Sequence, residues 1–298
     1  DPAAGSAPRE ASLQPAASTT PAPAPERVTL RIPTLQEAAA AGDPVARYLL
    51  GEERLSEGNV AAAVALIRRA AEQNVPAAQY RYAKMLERGE GVEANATEAR
   101  QWTRRAAEAG HRRAMHNLGV MFATGSGGEE NIEQAFHWFE EAALRGLTDS
   151  QYNLAVLFQQ GQGTEQSLAD AYAWFSIAAA GGDSGAAQQA ATIGASLDAG
   201  LRAQADSVAD NFTPRAISAE ANGQYDRNWG VEVTLDTDTI ASAQGLLNGL
   251  GYDAGPADGQ WGPQTQAAIR SFQTDRGLPA TGIIDDALIG RLTSARAG

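Results

Sequence analysis

The chain has 298 residues, of which 43% are hydrophobic and 20% are charged, and its formal net charge at pH 7 is −13. This length suits two modest domains, and the apolar fraction is ordinary for a chain that buries a core. The acidic balance argues against nucleic acid as a partner, because phosphate binding needs clustered Lys and Arg. Cysteine is absent, which excludes disulfides, thiolate catalysis and cysteine-ligated zinc.

Residues 1–32 are predicted to be a Pro/Ala-rich linker. Residues 1–25, which end in "ASTTPAPAP", are rich in Ala, Pro, Ser and Thr and cannot bury enough apolar surface to fold. The chain contains no run of about 20 apolar residues and does not begin with a signal-peptide pattern. We therefore expect any membrane anchor or export signal to lie outside this chain.

Residues 33–212 are predicted to form an α-solenoid of helical hairpins. Four kinds of residue recur every 36 positions, namely a tryptophan, an alanine, a closing glycine and a loop glycine: Trp102, Trp138, Trp174, Ala106, Ala142, Ala178, Gly110, Gly146, Gly182, Gly91, Gly127 and Gly163. Each unit is predicted as helix, glycine-containing loop and helix, ended by the closing glycine. A degenerate copy with a shorter loop precedes these units. A lone helix ending at Gly42 and two helices after Gly182 are expected to cap the stack.

The units resemble Sel-one-like repeats, which are helical-hairpin relatives of the tetratricopeptide repeat. The resemblance rests on the Leu118 and Gly119 pair, the loop glycines, the tryptophans and the Ala-Ala-x-x-Gly endings. It implies a curved surface that binds other proteins and performs no chemistry. The face of the first helices opposite the apolar stripe carries the candidate protein contacts, which are Tyr80, Lys84, His116 and Tyr152. The alternative is that these side chains pack between neighbouring units.

Residues 213–238 are predicted to be a joint, because Pro and Gly interrupt every periodic pattern and only "GVEVTL" indicates an extended segment. Residues 239–298 are predicted to be a small three-helix domain. The apolar stripes of its helices begin at Ile240, Ala268 and Ala287, and Gly- and Pro-containing turns separate them.

The stretch from Ile240 to Leu292 resembles the peptidoglycan-binding-like domain of bacterial wall enzymes and envelope proteins. The residues that carry this resemblance are Gln244, Leu247, Gly251, Tyr252, Asp258, Gly259, Gly262, Thr265, Ala268, Phe272, Gln273, Gly277, Leu278 and Gly282. It implies that the turn containing "DGQWG" contacts wall glycopeptide through an aromatic face and short polar groups. The candidate ligand contacts are Asp258, Gly259, Gln260, Trp261, Gln264 and Thr265. Alternatively, Asp258 and Gly259 only shape the turn, and Trp261 packs over the second helix.

We predict no catalytic residue, metal site or cofactor. The Gly-Asp-Ser-Gly string at Ser184 is typical of trypsin-like proteases, but here it precedes an Ala-rich helix, so we expect it to form a helix N-cap. The histidines His111, His116 and His137 lack zinc-ligand spacing. The glycine-rich loops recur as repeat turns without a P-loop lysine.

The order of linker, solenoid and wall-binding domain resembles the periplasmic end of PodJ-type polar organelle development proteins, which are cell-polarity scaffolds. The resemblance implies a non-catalytic scaffold in the periplasm, exported as part of an inner-membrane protein at a cell pole. Its expected partners are peptidoglycan and a periplasmic or inner-membrane protein, for example a polar signalling kinase. Two alternatives stay open: an accessory subunit of a peptidoglycan hydrolase, and a periplasmic regulator of a sensor kinase. Membrane contact is expected only through an anchor absent from this chain.

Overall fold

The computed structural model describes residues 26–225, 229–276, 278 and 281–297. The linker predicted for residues 1–25 lies outside these residues, as do Gly277 and part of the predicted "GLPATG" bend. The described chain divides into two compact units. One unit, which we call the solenoid unit, comprises residues 31–231. The other, which we call the C-terminal unit, comprises residues 26–30 and 232 onwards.

The fold is mainly α, as predicted. In chain order the described elements are β1 (Arg27–Arg31), α1 (Leu35–Ala41), α2 (Pro44–Ser56), α3 (Val60–Glu72), α4 (Pro76–Arg88), α5 (Ala96–Glu108), α6 (Arg112–Thr124), α7 (Ile132–Ala143), α8 (Thr148–Gln160), α9 (Leu168–Ala180), α10 (Ser184–Gly194), α11 (Ala199–Asp210), β2 (Glu232–Asp236), α12 (Thr237–Gly249), α13 (Pro263–Asp275) and α14 (Asp286–Ala297). Helices α2 to α9 pair in sequence order into four hairpins, each hairpin packs on the next, and α10 and α11 both pack against α9.

Capping residues repeat with the same period as the hairpins. The second helix of each of the first four hairpins follows a residue whose side chain accepts a hydrogen bond from the first-turn backbone: Asn59, Asn95, Asn131 and Ser167. The turn after the second helix holds a left-handed residue, which is Asn74 in the first hairpin and Gly110, Gly146 or Gly182 in the others. Asparagine tolerates this conformation better than other non-glycine residues, so the degenerate first repeat keeps the same turn.

The loop glycines let one hairpin approach the next. A Cβ atom added to Gly127 would lie 2.2 Å from the carbonyl oxygen of Ala96, the first residue of α5. At the equivalent Gly163 it would lie 2.6 Å from the carbonyl oxygen of Ile132, the first residue of α7. Such distances are far below van der Waals contact. The repeat spacing seen in the sequence therefore reflects backbone packed against the preceding hairpin.

Residues 212–225 and 229–231 run back along the solenoid after its last helix, and we call them the return segment. The Phe212 ring lies 5.5 Å from the ring of Trp174 in α9. The Arg215 amide donates to the carbonyl oxygen of Leu144 at 2.8 Å, two hairpin steps nearer the amino terminus than α11. The return segment therefore packs on the repeats, and the predicted joint at 213–238 is wrong in treating these residues as a connection alone.

The return segment continues to the first hairpins. The Asn222 side-chain oxygen accepts a hydrogen bond from the Arg112 amide at 2.9 Å, at the start of α6. The Tyr225 ring then lies 6.0 Å from the ring of Tyr48 in α2. Trp229 packs among the apolar side chains around α1 and α2. Together these contacts place the return segment along the solenoid from its last hairpins to its first.

Strands β1 and β2 form a two-stranded antiparallel sheet. Its register is fixed by two backbone bonds, from the Ile32 amide to the Val231 carbonyl (2.8 Å) and from the Thr237 amide to the Glu26 carbonyl (3.0 Å). Residues 26–32 are therefore not linker, which corrects the predicted end of that segment. Their apolar side chains alternate along the strand, as expected for one buried face.

Three helices, α12, α13 and α14, enclose the core of the C-terminal unit, which confirms the predicted three-helix domain. The largest fully buried side chains in this core include Ile240, Leu247, Ile269, Phe272 and Leu292. Val28 of β1 and Leu235 of β2 pack against the same core, so the small sheet is an additional layer of this unit.

Candidate functional site

The turn between α12 and α13 is held from inside by one buried side chain. Gln244, only 2% exposed, accepts a hydrogen bond from the Gly259 amide at 3.0 Å. Its Nε2 donates to the Gln260 carbonyl at 3.0 Å and to the Thr265 hydroxyl at 3.1 Å. The Thr265 hydroxyl in turn donates to the Ala254 carbonyl at 3.0 Å. The path of the backbone through the turn is therefore fixed by a connected buried network.

A second set of bonds fixes the outer part of the same turn. The Asn248 side chain donates to the Gly255 carbonyl at 2.7 Å and accepts from the Ala254 amide at 2.9 Å. Asp253 accepts from the side-chain amide of Gln264 at 2.8 Å. Gln264 is thus oriented by a partner within the turn, which lowers the entropy it would lose on binding a ligand.

The outward-facing residues of this turn form a mixed aromatic and polar surface. Asp258, Gln260 and Gln264 are exposed, and Trp261 is partly exposed while packing against the helical core. Asp258 also accepts a hydrogen bond from the Gln260 amide at 2.9 Å, so it shapes the turn as well as facing solvent. We call Asp258, Gln260, Trp261 and Gln264 the turn surface.

Two of the predicted ligand contacts lie behind the turn surface. The Thr265 side chain is only 2% exposed and bonds within the buried network, so its prediction as a ligand contact is wrong. Gly259 is also buried, and its φ of +76° is the left-handed conformation. A Cβ atom there would lie 2.5 Å from the Thr237 carbonyl oxygen. Gly259 is therefore needed for the turn itself, and its burial corrects its prediction as a contact.

The sequence interpretation missed the equivalent role of Gln273 at the end of α13. Gln273, 6% exposed, accepts from the Gly282 amide at 2.9 Å and donates to the Thr281 hydroxyl at 2.7 Å. Both glutamines sit within the apolar stripe of a helix, next to a glycine-containing turn further along the chain. The sequence signal for this role was a glutamine at a helix position that faces the core, because a buried side-chain amide needs hydrogen-bond partners.

The chemistry available at the turn surface is binding by stacking and hydrogen bonding. The amides of Gln260 and Gln264 offer both donors and acceptors, and the Asp258 carboxylate adds an acceptor. Nearby, the Tyr252 hydroxyl donates to Asp275 at 3.0 Å, and burial followed by this hydrogen bond raises the pKa of Tyr252. Among residues 26–225, 229–276, 278 and 281–297, no group of three His, Asp or Glu side chains is arranged to hold a metal ion.

The candidate protein contacts lie on three successive first helices, α4, α6 and α8. The Tyr80 ring stacks on His111 at 4.4 Å, and its hydroxyl accepts from the Asn117 side chain at 3.2 Å. Burial is the main cause that raises the pKa of Tyr80. Lys84 forms an ion pair with Glu87 within its own helix.

The other two candidate contacts also link neighbouring helices. His116 Nδ1 lies 2.8 Å from the Ser150 hydroxyl, and burial lowers the pKa of His116. The Tyr152 ring packs edge-on against Phe175 at 5.2 Å. All four candidates are partly buried. Tyr80, His116 and Tyr152 thus pack between units, in line with the alternative, whereas Lys84 pairs within its own helix. Part of each of the four side chains stays accessible.

Two residues of the segments that suggested catalysis or metal binding, Asp183 and His111, are helix caps. Asp183 rather than Ser184 caps α10, accepting a hydrogen bond from the Ala186 amide at 2.9 Å, so the predicted N-cap is displaced by one residue. His111 caps α6 through its Nδ1, which accepts from the Ala114 amide at 3.1 Å. Burial lowers the pKa of His111 to about 4, which keeps the imidazole neutral and able to accept.

None of the helices in the described part of the chain combines the length and the apolar character that crossing a bilayer requires.

Comparison with known families assigns both units. Residues 236–292 match the family described as "Putative peptidoglycan binding domain". The Sel1 repeat family matches four consecutive stretches, 44–75, 76–111, 112–147 and 148–183. The first stretch corresponds to the degenerate repeat, α2 and α3. Both families are non-catalytic, and they support peptidoglycan binding and protein interaction.

Individual relatives match parts of the chain. The "Localization factor PodJL" of two Caulobacter vibrioides strains, NA1000 / CB15N and ATCC 19089 / CIP 103742 / CB 15, is 38% identical over 118 residues. That match covers 38% of this chain and 11% of the length of PodJL. A crystal structure of a Sel1 repeat protein from Oxalobacter formigenes is 26% identical, with a TM-score of 0.49, over 59% of this chain and 76% of that one. Over residues 44–292 the chain therefore carries Sel1 repeats followed by a peptidoglycan-binding domain, and over part of its length it is similar to the PodJ-type protein PodJL.

Proposed function

We propose that the chain is a non-catalytic periplasmic scaffold of a bacterial cell-polarity protein. Its C-terminal unit binds cell-wall peptidoglycan, and its solenoid unit binds a protein partner. The observation that carries the proposal is the turn surface. Asp258, Gln260, Trp261 and Gln264 face outwards there, while buried Gln244 holds their backbone.

The turn surface suits the chemistry of peptidoglycan. The glycan strand presents the apolar faces of sugar rings, which stack on an exposed indole such as that of Trp261. The stem peptides present amides and carboxylates, which the Gln260 and Gln264 amides can bond. Because the network behind the turn is buried, the surface is formed before ligand arrives and little ordering entropy remains to be lost.

The protein-binding half of the proposal concerns the face of α4, α6 and α8. The accessible parts of Tyr80, Lys84, His116 and Tyr152 belong to this face, and Val120 adds an apolar side chain that is 37% exposed. We propose a periplasmic or inner-membrane protein as the partner, with a polar signalling kinase as one candidate. The similarity to PodJL, a localization factor, supports a role in localisation, and we propose that its place is a cell pole.

Sedimentation with purified sacculi tests wall binding. The full chain, a chain ending at Asp238 and the variants Trp261→Ala and Gln260→Ala are incubated with sacculi and pelleted. We expect the truncated chain to stay in the supernatant and both variants to pellet several-fold less. Arg291→Ala, an exposed change on α14 away from the turn surface, is the matched control and should pellet as the unmodified chain does.

Two results would contradict the proposal. Equal pelleting of the full chain and the truncated chain would remove the wall-binding function from the C-terminal unit. Clearing of peptidoglycan embedded in a gel by the purified chain would favour a hydrolase instead. Circular dichroism of Trp261→Ala separates loss of binding from loss of fold, and Gln260→Ala changes an exposed side chain without opening the core.

A further inference from the structure

A cavity of about 660 Å³ lies on the second Sel1 repeat, between α5 and the loop that joins α6 to α7. Arg100, Arg104 and Arg105 of α5 line it together with Phe122 of α6. This arginine pocket shares no residue with the turn surface or with the predicted face of α4, α6 and α8. It is a concentration of guanidinium groups on a chain whose net charge is −13.

Arg100 occupies a position that is apolar in the other repeats. At the spacing of 36 residues the equivalents are Val64, Phe136 and Tyr172. These side chains lie in the stripe that packs beneath the loop glycine, and a Cβ atom added to Gly127 would lie 3.0 Å from the Arg100 Cβ. Arg100 is only 8% exposed. Burying a guanidinium where a hydrocarbon fits costs stability, so packing alone does not explain this residue.

Among the residues that the structure describes, none offers a carboxylate partner to the guanidinium of Arg100. Its Nη1 donates to the Glu129 carbonyl oxygen at 3.0 Å, and its Cζ lies 4.0 Å from the centre of the Phe122 ring. Burial lowers the pKa of Arg100, and the neighbouring charge of Arg104 lowers it further. Within the described residues, none of the three pocket arginines forms an ion pair.

The arginine equivalent to Arg104 in the first repeat does form an ion pair. Arg68 stands at the position equivalent to Arg104, and it pairs with Glu72 at 2.9 Å, four residues later on the same helix. Glu108 stands at the corresponding position after Arg104 but makes no such pair. Glu108 and the loop residues Glu129 and Glu130 also line the pocket, and all three are exposed. Arg104 and Arg105 are exposed as well, so their guanidinium groups are accessible to a ligand, whereas Arg100 is buried.

We propose that the arginine pocket binds a carboxylate-rich segment of the solenoid's protein partner. This inference rests on the proposed protein-binding function of the solenoid and names the chemistry of the partner. A guanidinium bonds a carboxylate through two parallel N–H donors, and a poorly hydrated site strengthens that bond. The exposed Arg104 and Arg105 supply the positive charge that such a segment needs on a chain whose net charge is −13.

Fluorescence anisotropy of the full chain with a labelled oligoglutamate peptide tests the proposal, with oligoglutamine as the uncharged comparison. We expect oligoglutamate to bind more tightly and to weaken as salt rises. Arg100→Val, which copies Val64, and Arg104→Gln should each weaken binding by about tenfold or more, the loss expected for one charge-assisted hydrogen bond. Arg68→Gln is the matched control and should change the affinity by less than about twofold.

Equal affinity for the two peptides, or equal weakening by Arg68→Gln and Arg104→Gln, would overturn the proposal. Displacement of oligoglutamate by inorganic phosphate at similar concentration would also overturn it, because the pocket would then be a general anion site. Arg100→Val should melt at or above the temperature of the unmodified chain, since it removes a buried charge. Its sedimentation with sacculi should be unchanged, so failure of wall binding and failure of the pocket proposal are separable.

Discussion

Replacing Gln244 with leucine tests whether the buried network determines the stability of the C-terminal unit. The change leaves the buried Gly259 amide without its 3.0 Å acceptor and removes the donor to Gln260 and Thr265. An orphaned buried donor costs about 1–3 kcal/mol, and the two lost donations bring the expected total to about 2–4 kcal/mol after the apolar gain of leucine. A domain of this size is stable by about 3–9 kcal/mol. The variant should therefore lose a large share of the stability of this unit.

Hydrogen exchange followed by mass spectrometry on the full chain measures this loss locally. In Gln244→Leu, peptides covering α12 and α13 should exchange about 30- to 700-fold faster, the equivalent of the expected free-energy change. Peptides from the solenoid unit should be unaffected. Gln264→Leu, which removes an exposed bond to Asp253, serves as the control and should cost less than about 1 kcal/mol. Exchange in Gln244→Leu within about threefold of the unmodified chain would refute the reasoning.

Two further predictions concern the solenoid unit. The pKa of His111 is about 4 in the folded chain against an ordinary value of 6.5, so the contribution of neutral His111 to stability is complete above pH 6.5 and is lost as the pH falls towards 4. This loss amounts to about 3 kcal/mol of unfolding free energy. Asparagine caps a helix without titrating, so in His111→Asn the unfolding free energy, measured with urea, should no longer fall over this pH range. The same pH dependence in the variant and the unmodified chain would contradict the assignment. Gly127→Ala should cost about 3–4 kcal/mol, because left-handed strain adds to a clash with the Ala96 carbonyl. Gly58 is also left-handed, but no atom lies near the position of an added Cβ, so Gly58→Ala should cost about 1–2 kcal/mol. Equal melting temperatures for the two variants would show that the contact between Gly127 and the Ala96 carbonyl is unimportant.

The repeat architecture was predictable because its determinants are local and periodic. The left-handed turn residues, the capping residues and the buried alanines each recur with the hairpin, so one alignment of the chain with itself reveals them. The three-helix domain was predictable for a similar reason, since its stripes follow the helical period. Such patterns record which side of each helix is buried.

The missed features depend on contacts between distant residues. Strand β1 is five residues long, and its partner β2 follows about 200 residues later, so no local turn signals the pairing. The return segment has no periodic pattern, and its position is fixed by bonds such as that between Asn222 and Arg112. The burial of Thr265 depends on Gln244 and Ala254, which a linear pattern does not bring together.

The arginine pocket has a signal in the sequence, because one of its residues departs from the repeat pattern. The stripe position filled by Val64, Phe136 and Tyr172 holds Arg100 in the second repeat. A self-alignment is usually used to find what repeats share. Here the informative residue is one that departs from its equivalents.

The pairing of β1 with β2 determines how the chain would carry mechanical load. The two strands are neighbours in the sheet, yet the entire solenoid lies between them in sequence. Tension applied between Glu26 and Thr237 would act on the backbone bonds of a short antiparallel ladder, beginning with the 3.0 Å bond that joins these two residues. The helical hairpins would stay outside that force path until the ladder separated, when the load would pass to the return segment and the solenoid unit.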